Sequence, residues 1–154
     1  MIICTSIAIA RSRMKVLILV LFAISLQYNA AVSVENFGDV IENYEEYLKG
    51  IGETCIAVSK VSPELVQGLV YEGVFPENNE LKEFVLCVGL GLGIIDENGN
   101  LDKDKTMSYI GTDDAKINEA VYEKCASVTA DTAIDKIWGV GTCIYNTVKS
   151  LYKL

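Results

Sequence analysis

Apolar positions recur at steps of three and four along most of this chain, the spacing of helices with one buried face. Phe37, Val40, Ile41, Tyr44, Leu48, Ile51 and Cys55 form one such stripe, with Glu42, Glu45 and Glu46 turned toward water. They predict a long first helix, weakened and open to bending at Gly50 and Gly52. Ser62-Pro63-Glu64 supplies a capping hydroxyl, a proline for the first helical position and an acid for the positive first turn. The short second helix that follows carries Leu65, Val66, Leu69 and Val70 and stops at Gly73. Phe75-Pro76 breaks the chain, and Asn78 or Asn79 caps a third helix with Leu81, Phe84, Val85 and Val88 on its apolar face. Asp96 to Asn100 is turn chemistry, after which a short fourth helix brings Met107 and Ile110 inward. Thr112, with Asp113 and Asp114 behind it, caps a fifth helix bearing Ile117, Val121 and Cys125. Thr129 or Asp131 opens a sixth, with Ile134, Ile137, Trp138, Ile144, Tyr145 and Val148. The pattern therefore predicts an all-α domain, a compact bundle of about six helices.

The first 33 residues do not fit that pattern. Arg11, Arg13 and Lys15 precede the apolar run Val16 to Leu26, and small residues follow at Ala30, Ala31 and Ser33. This is the order of a secretory signal peptide, expected over residues 1–33, with the mature helical domain spanning 34–154. The run has 11 residues, too few for a membrane span of about 20. Met14 would itself serve as a start, which would leave residues 1–13 as an upstream extension. The expected address is extracellular, for a secreted protein.

Loss of the signal changes the charge. The chain has 13 Lys plus Arg against 21 Asp plus Glu; three of the basic residues leave with the signal, so 10 Lys face 21 acids, a net of −11. Neither arginine nor histidine remains in the mature part. Such a surface opposes binding to a phosphate backbone. Cys4 leaves as well, and the even count that stays, Cys55, Cys87, Cys125 and Cys143, suggests two disulfides in an exported chain. Four cysteines allow three pairings, and spacing alone does not choose among them.

Candidate chemistry is thin. The glycine-rich run Gly89 to Gly93 follows a helical pattern and precedes a turn, the reverse of the context that a phosphate-binding loop requires. The segment from Asp96 to Asp104 resembles a calcium loop only in composition, because Gly99 does not sit at the sixth position that an EF-hand needs. Zinc finds neither a CxxC pair nor a histidine. Without histidine the usual catalytic triads are out of reach, and the adjacent acids Glu45/Glu46 and Asp113/Asp114 point apart on a helix. No metal, no cofactor and no enzymatic activity are expected. A carboxylate enzyme, revealed by turnover that single Asp or Glu substitutions abolish, is kept as an alternative class. Composition alone favours apolar stripes that simply fill a core.

The cysteine spacings change that balance. They run Cys55, 31 residues, Cys87, 37 residues, Cys125, 17 residues, Cys143. Together with FPENNELKEFVLC over 75–87 and GIIDENGNLDKD over 93–104, this resembles the insect odorant-binding protein family, the pheromone- and general-odorant-binding group. The resemblance is to its four-cysteine "minus-C" branch, since Glu83 and Ile134 stand where six-cysteine members carry a bonded pair. It implies six helices around an internal apolar cavity, with Cys55 bonded to Cys87 and Cys125 to Cys143. It also implies a secreted carrier that reversibly binds small hydrophobic molecules, odorant- or pheromone-like. The expected partner is a small apolar ligand, with a membrane receptor downstream as a further candidate. The expected lining is Leu69, Phe84, Val88, Met107, Ile110, Val121, Ile137, Trp138 and Tyr145, with Tyr145 or Tyr109 as polar handle. The competing reading is a secreted helical domain with a filled core that acts through a protein partner.

Overall fold

The computed structural model describes residues 36–152; the expected signal peptide (1–33) and the last two residues of the tail lie outside the described residues. Within them the chain forms α1 (Phe37–Leu48), α2 (Gly52–Ser59), α3 (Pro63–Gln67), a π-helical turn (Gly68–Glu72), α4 (Asn79–Gly91), α5 (Lys103–Ser108), α6 (Ala115–Cys125) and α7 (Ala133–Leu151). The only bridge between extended residues among them is Ile95 with Leu101, which pins the turn before α5.

Every α-helix but α2, which follows Ile51 without a side-chain cap, starts where a short polar side chain meets orphan backbone N–H groups. Asn36 caps α1 in a reciprocal box with Asp39. Ser62 caps α3 and places Pro63 at its first position, and the Asn78 carboxamide accepts from the N–H of Leu81 at 2.7 Å to start α4. Two starts differ from the expected ones. Asp114 caps α6 by accepting from the N–H groups of Lys116 and Ile117. Thr112 is buried instead, its hydroxyl donating to the Asn118 carboxamide oxygen at 2.6 Å and so tying the incoming loop to the helix. Thr132 rather than Thr129 or Asp131 caps α7, by accepting from the N–H of Asp135.

The expected first helix is two helices, which makes seven where the pattern predicted about six. The chain stops at Lys49, and Gly50 takes φ +85°, a left-handed turn that few side chains tolerate. It restarts at Gly52, and α2 ends at Lys60, also left-handed at φ 60°. The turn after α3 is wider than an α-helix; Val74 N–H reaches back to Gly68 O at 3.0 Å. This π-helical coil ends on Gly73 at φ +68°.

The longest element, α7, organises the packing. Its first half lies against α4, where a Cβ on Gly89 would sit 3.1 Å from Ile137, so the missing side chain lets the two helices approach closely. Its second half is bonded to α6 through Cys125–Cys143, while Cys55–Cys87 bonds α2 to α4. The pairing is the one that the resemblance implied. Two buried clusters result. One gathers Cys55, Val61, Val66, Val70, Leu81, Phe84 and Trp138 around the first disulfide. The other gathers Val40, Ile110, Val121, Cys125 and Val148 around the second. No described buried side-chain nitrogen or oxygen lacks a hydrogen-bond partner.

Candidate functional site

Between the two clusters lies an apolar pocket of about 190 Å³. Tyr44, Tyr47 and Leu48 of α1 form one side, and Leu69 and Val70 of the π-turn, with Phe75 after it, form the next. Phe84, Val85, Val88 and Gly89 of α4 face Ile137, Val140, Gly141, Ile144 and Tyr145 of α7. Leu92, Ile94, Thr106 and Tyr109 complete the wall. No side chain among these carries a charge at neutral pH.

Local chemistry explains why each part of the wall is where it is. The wider coil of the π-turn presents Leu69 and Val70 toward the pocket side by side, and the Val70 carbonyl accepts from the Tyr145 hydroxyl at 3.2 Å. A Cβ at Gly73 would fall 2.1 Å from the Tyr145 ring, so this stop signal also makes room for a lining residue. The Tyr145 ring meets Phe75 edge-on at 5.6 Å and Phe37 at 5.5 Å. Across the pocket the Tyr44 hydroxyl donates to Ile110 O at 2.9 Å, and Tyr47 stacks edge-on against Tyr109 with ring centres 4.9 Å apart. The bridge of Ile95 with Leu101 holds Ile94 in place, helped by Asp102 N–H donating to Ile94 O at 3.0 Å.

Four of the five side-chain hydroxyls on the wall are already engaged, Tyr47 donating to Ser108 O at 3.4 Å; Tyr109 is the exception. Tyr44 and Tyr145 give their protons to backbone carbonyls, and the buried Thr106 hydroxyl donates to Asp102 O at 2.6 Å. Burial, and after it the neighbouring Tyr145, Tyr47 and Tyr152, pushes the Tyr44 phenol well above its ordinary value of 10.0. Burial does the same to Tyr145. Both stay neutral at any physiological pH. The wall can surround an apolar molecule and accept a hydrogen bond from it, and it holds no nucleophile paired with a base.

Of the nine residues expected to line a cavity, the pocket brings together Leu69, Phe84, Val88, Ile137 and Tyr145. The other four pack elsewhere. Ile110 and Val121 are buried in the cluster of the second disulfide, and Trp138 packs in the first cluster, its ring edge-on to Phe75 at 5.4 Å. Met107 is half-buried beside the wall without joining it. The reason is angular: successive helical residues point about 100° apart, so Ile137 can face the pocket while Trp138 faces α4 and Lys82. Of the two handles, both Tyr145 and Tyr109 are on the wall. The wall also holds many residues outside that expectation, among them Tyr44, Tyr47, Leu92 and Ile94. Tyr44 was read as ordinary helix stripe, and the pair Leu92 and Ile94 sits in a turn where periodicity carries no signal.

Among the described residues no helix is long and apolar enough to cross a membrane. The sequence model of the PBP/GOBP family matches residues 39–147. The B1 protein of Tenebrio molitor is 28% identical over 107 residues, covering 68% of this chain and 81% of that protein. Three solved structures share the fold. Odorant-binding protein dmelOBP28a of Drosophila melanogaster superposes with TM-score 0.63 at 23% identity, covering 74% of this chain and 99% of its own. Odorant-binding protein lmigOBP1 of Locusta migratoria gives 0.61 at 15% identity, over 70% of this chain and 83% of its own. Odorant binding protein 5 of Apis mellifera gives 0.61 at 20%, over 73% and 95%.

Proposed function

The chain belongs to the PBP/GOBP family, and from that premise we propose that it is a secreted carrier that reversibly holds small hydrophobic molecules in the pocket between α1, α4 and α7. The observation that supports this reading best is the wall itself: an uncharged, largely aliphatic and aromatic surface on which four of the five hydroxyls are bonded to the protein's own backbone. Ligand and wall would both lose contact with water, at about 2.5 kcal/mol per 100 Å² of apolar surface. Micromolar affinity requires about 8 kcal/mol, so roughly 300 Å² of buried ligand surface suffices before the costs of immobilisation. At about 190 Å³ the pocket is smaller than typical drug-sized sites, which favours odorant-sized cargo over a long lipid. The two disulfides support the extracellular address, where such bonds persist. Delivery to a membrane receptor is the onward step that this reading allows.

The test is titration of an environment-sensitive apolar fluorophore into the mature protein. Saturable binding at micromolar concentration, displaced by small alcohols or terpenoids, is the expected result. Absence of any saturable, competable signal would rule out the carrier and leave a helical domain that acts through a protein partner.

A further inference from the structure

The wall of the pocket decides what charge its cargo can bear. Its only titratable side chains are Tyr44, Tyr47, Tyr109 and Tyr145. α4 and the π-turn contribute aliphatic and Phe side chains alone, and α5 contributes Thr106, whose proton is spent on Asp102 O. Removing a carboxylate from water is very costly unless a cation or several free donors meet it. The pocket offers no cation and at most one such donor, Tyr109: Tyr44, Tyr47 and Tyr145 donate to Ile110 O, Ser108 O and Val70 O. One cation, Lys149 on α7, stands against a lining residue, its ammonium 5.5 Å from the centre of the Tyr145 ring. It does not line the pocket, and it already donates to Glu72 O at 3.0 Å.

Resting on the carrier reading above, we propose that this pocket takes up carboxylic acids only as the neutral, protonated molecule, so that the ligand's own carboxyl sets the pH at which acids load. Alcohols of the same length load independently of pH. The mature chain has no histidine to act as the switch, and the proposal requires none. Selection arises because the ionised ligand is excluded, with no change in the protein between pH 7 and pH 5.

An alkyl acid titrates much like a glutamate side chain, near ~4.3. About one molecule in 500 is then neutral at pH 7 and about one in six at pH 5, and apparent affinity scales with that fraction. The experiment displaces N-phenyl-1-naphthylamine from the full mature protein with decan-1-ol and with submicellar decanoic acid at pH 7, 6 and 5, with the probe's own affinity measured at each pH. The expected result is about 80-fold tighter binding of the acid at pH 5 than at pH 7, and less than a twofold change for the alcohol. Equal displacement by the acid at both pH values, with the alcohol also competing, overturns this inference and leaves the carrier standing. Failure of the probe and the alcohol to bind at all overturns both. In Lys149→Gln the acid curve is expected to be unchanged. Weaker acid binding at pH 7 in that variant would make Lys149 the partner of a bound carboxylate and would likewise overturn the inference.

Discussion

The two disulfides each anchor a buried cluster, but only one of the clusters gives its own buried residues to the pocket wall. In the cluster at Cys125–Cys143 the buried residues Val40, Ile110, Val121, Cys125 and Val148 all stay off the pocket, which meets this end only at Tyr44 and Ile144 packed against it. The cluster at Cys55–Cys87 instead gives Val70 and Phe84 to the pocket wall, with Leu48, Leu69, Phe75, Val85 and Val88 packed against it and lining the same space. One end is thus filled by buried residues that stay off the wall, whereas the other lends its own to it. The lesson concerns where stability and binding are separable. Substitutions at the filled end should change stability alone, whereas those at the other should change both.

Removing the bonds tests that division most severely. Chain-entropy reasoning assigns about 3–4 kcal/mol to each of loops this long, which span 32 and 18 residues. Cys125→Ser with Cys143→Ser is expected to lose about 3 kcal/mol in urea unfolding while the folded fraction keeps its probe affinity. Cys55→Ser with Cys87→Ser is expected to lose slightly more and also to weaken the probe severalfold, because the cluster around that bond gives Val70 and Phe84 to the wall. Equal affinity in both pairs would erase the distinction between the ends.

A bond can also be added. Lys82 of α4 lies 3.6 Å from the carboxylate of Asp135 on α7, and the same Lys also pairs with Glu77 at 2.7 Å. The ion pair with Asp135 brings the first turns of α4 and α7 together, next to Glu83 and Ile134. Glu83→Cys with Ile134→Cys should oxidise to a third disulfide and gain about 2 kcal/mol, part of what chain entropy allows. Thiol titration and the melting temperature decide it; persistent free thiols under oxidising conditions would mean that the two positions do not face each other.

Smaller effects sharpen the contrast. Val88→Phe adds bulk to the wall and is expected to cut probe affinity about tenfold, or ~1.4 kcal/mol, with little change in stability. Ile110→Val in the filled cluster should cost about 1 kcal/mol of stability and leave affinity unchanged. The smallest effect lies in alkaline pH. The Tyr44 phenol is raised above its ordinary value of 10.0 mainly by burial. A raised folded value means that its contribution is complete below pH 10 and is lost as pH climbs from there toward the folded value. Stability should therefore be flat through pH 9 and fall above 10. Tyr44→Phe should soften that fall, as measured by urea midpoints from pH 8 to 11.

Much of this was legible in the chain. The apolar stripes located the helices, and Ser62-Pro63 and Asn78 marked starts that the structure uses. What escaped was angular and long-range. Leu65, Val66, Leu69 and Val70 fit an ordinary helix as well as they fit a coil that widens at Gly68, so nothing local announced the π-turn. Gly50 looked like a bend, and its positive φ makes it a full break. Within α7 each of three sides is buried against a different neighbour, so burial alone could not tell Ile137 from Trp138. Tyr44 seemed a core residue because its carbonyl partner, Ile110 O, lies 66 residues away.

The π-turn carries one residue more than an ordinary helical turn would need. Shortening Gly68–Glu72 by a single position would restore regular winding and swing Leu69 and Val70 through about 100°, yet it would leave both sulfur bridges and the filled cluster untouched. A single deletion here would thus re-aim two wall residues, and change the shape of the space they enclose, without altering any cysteine.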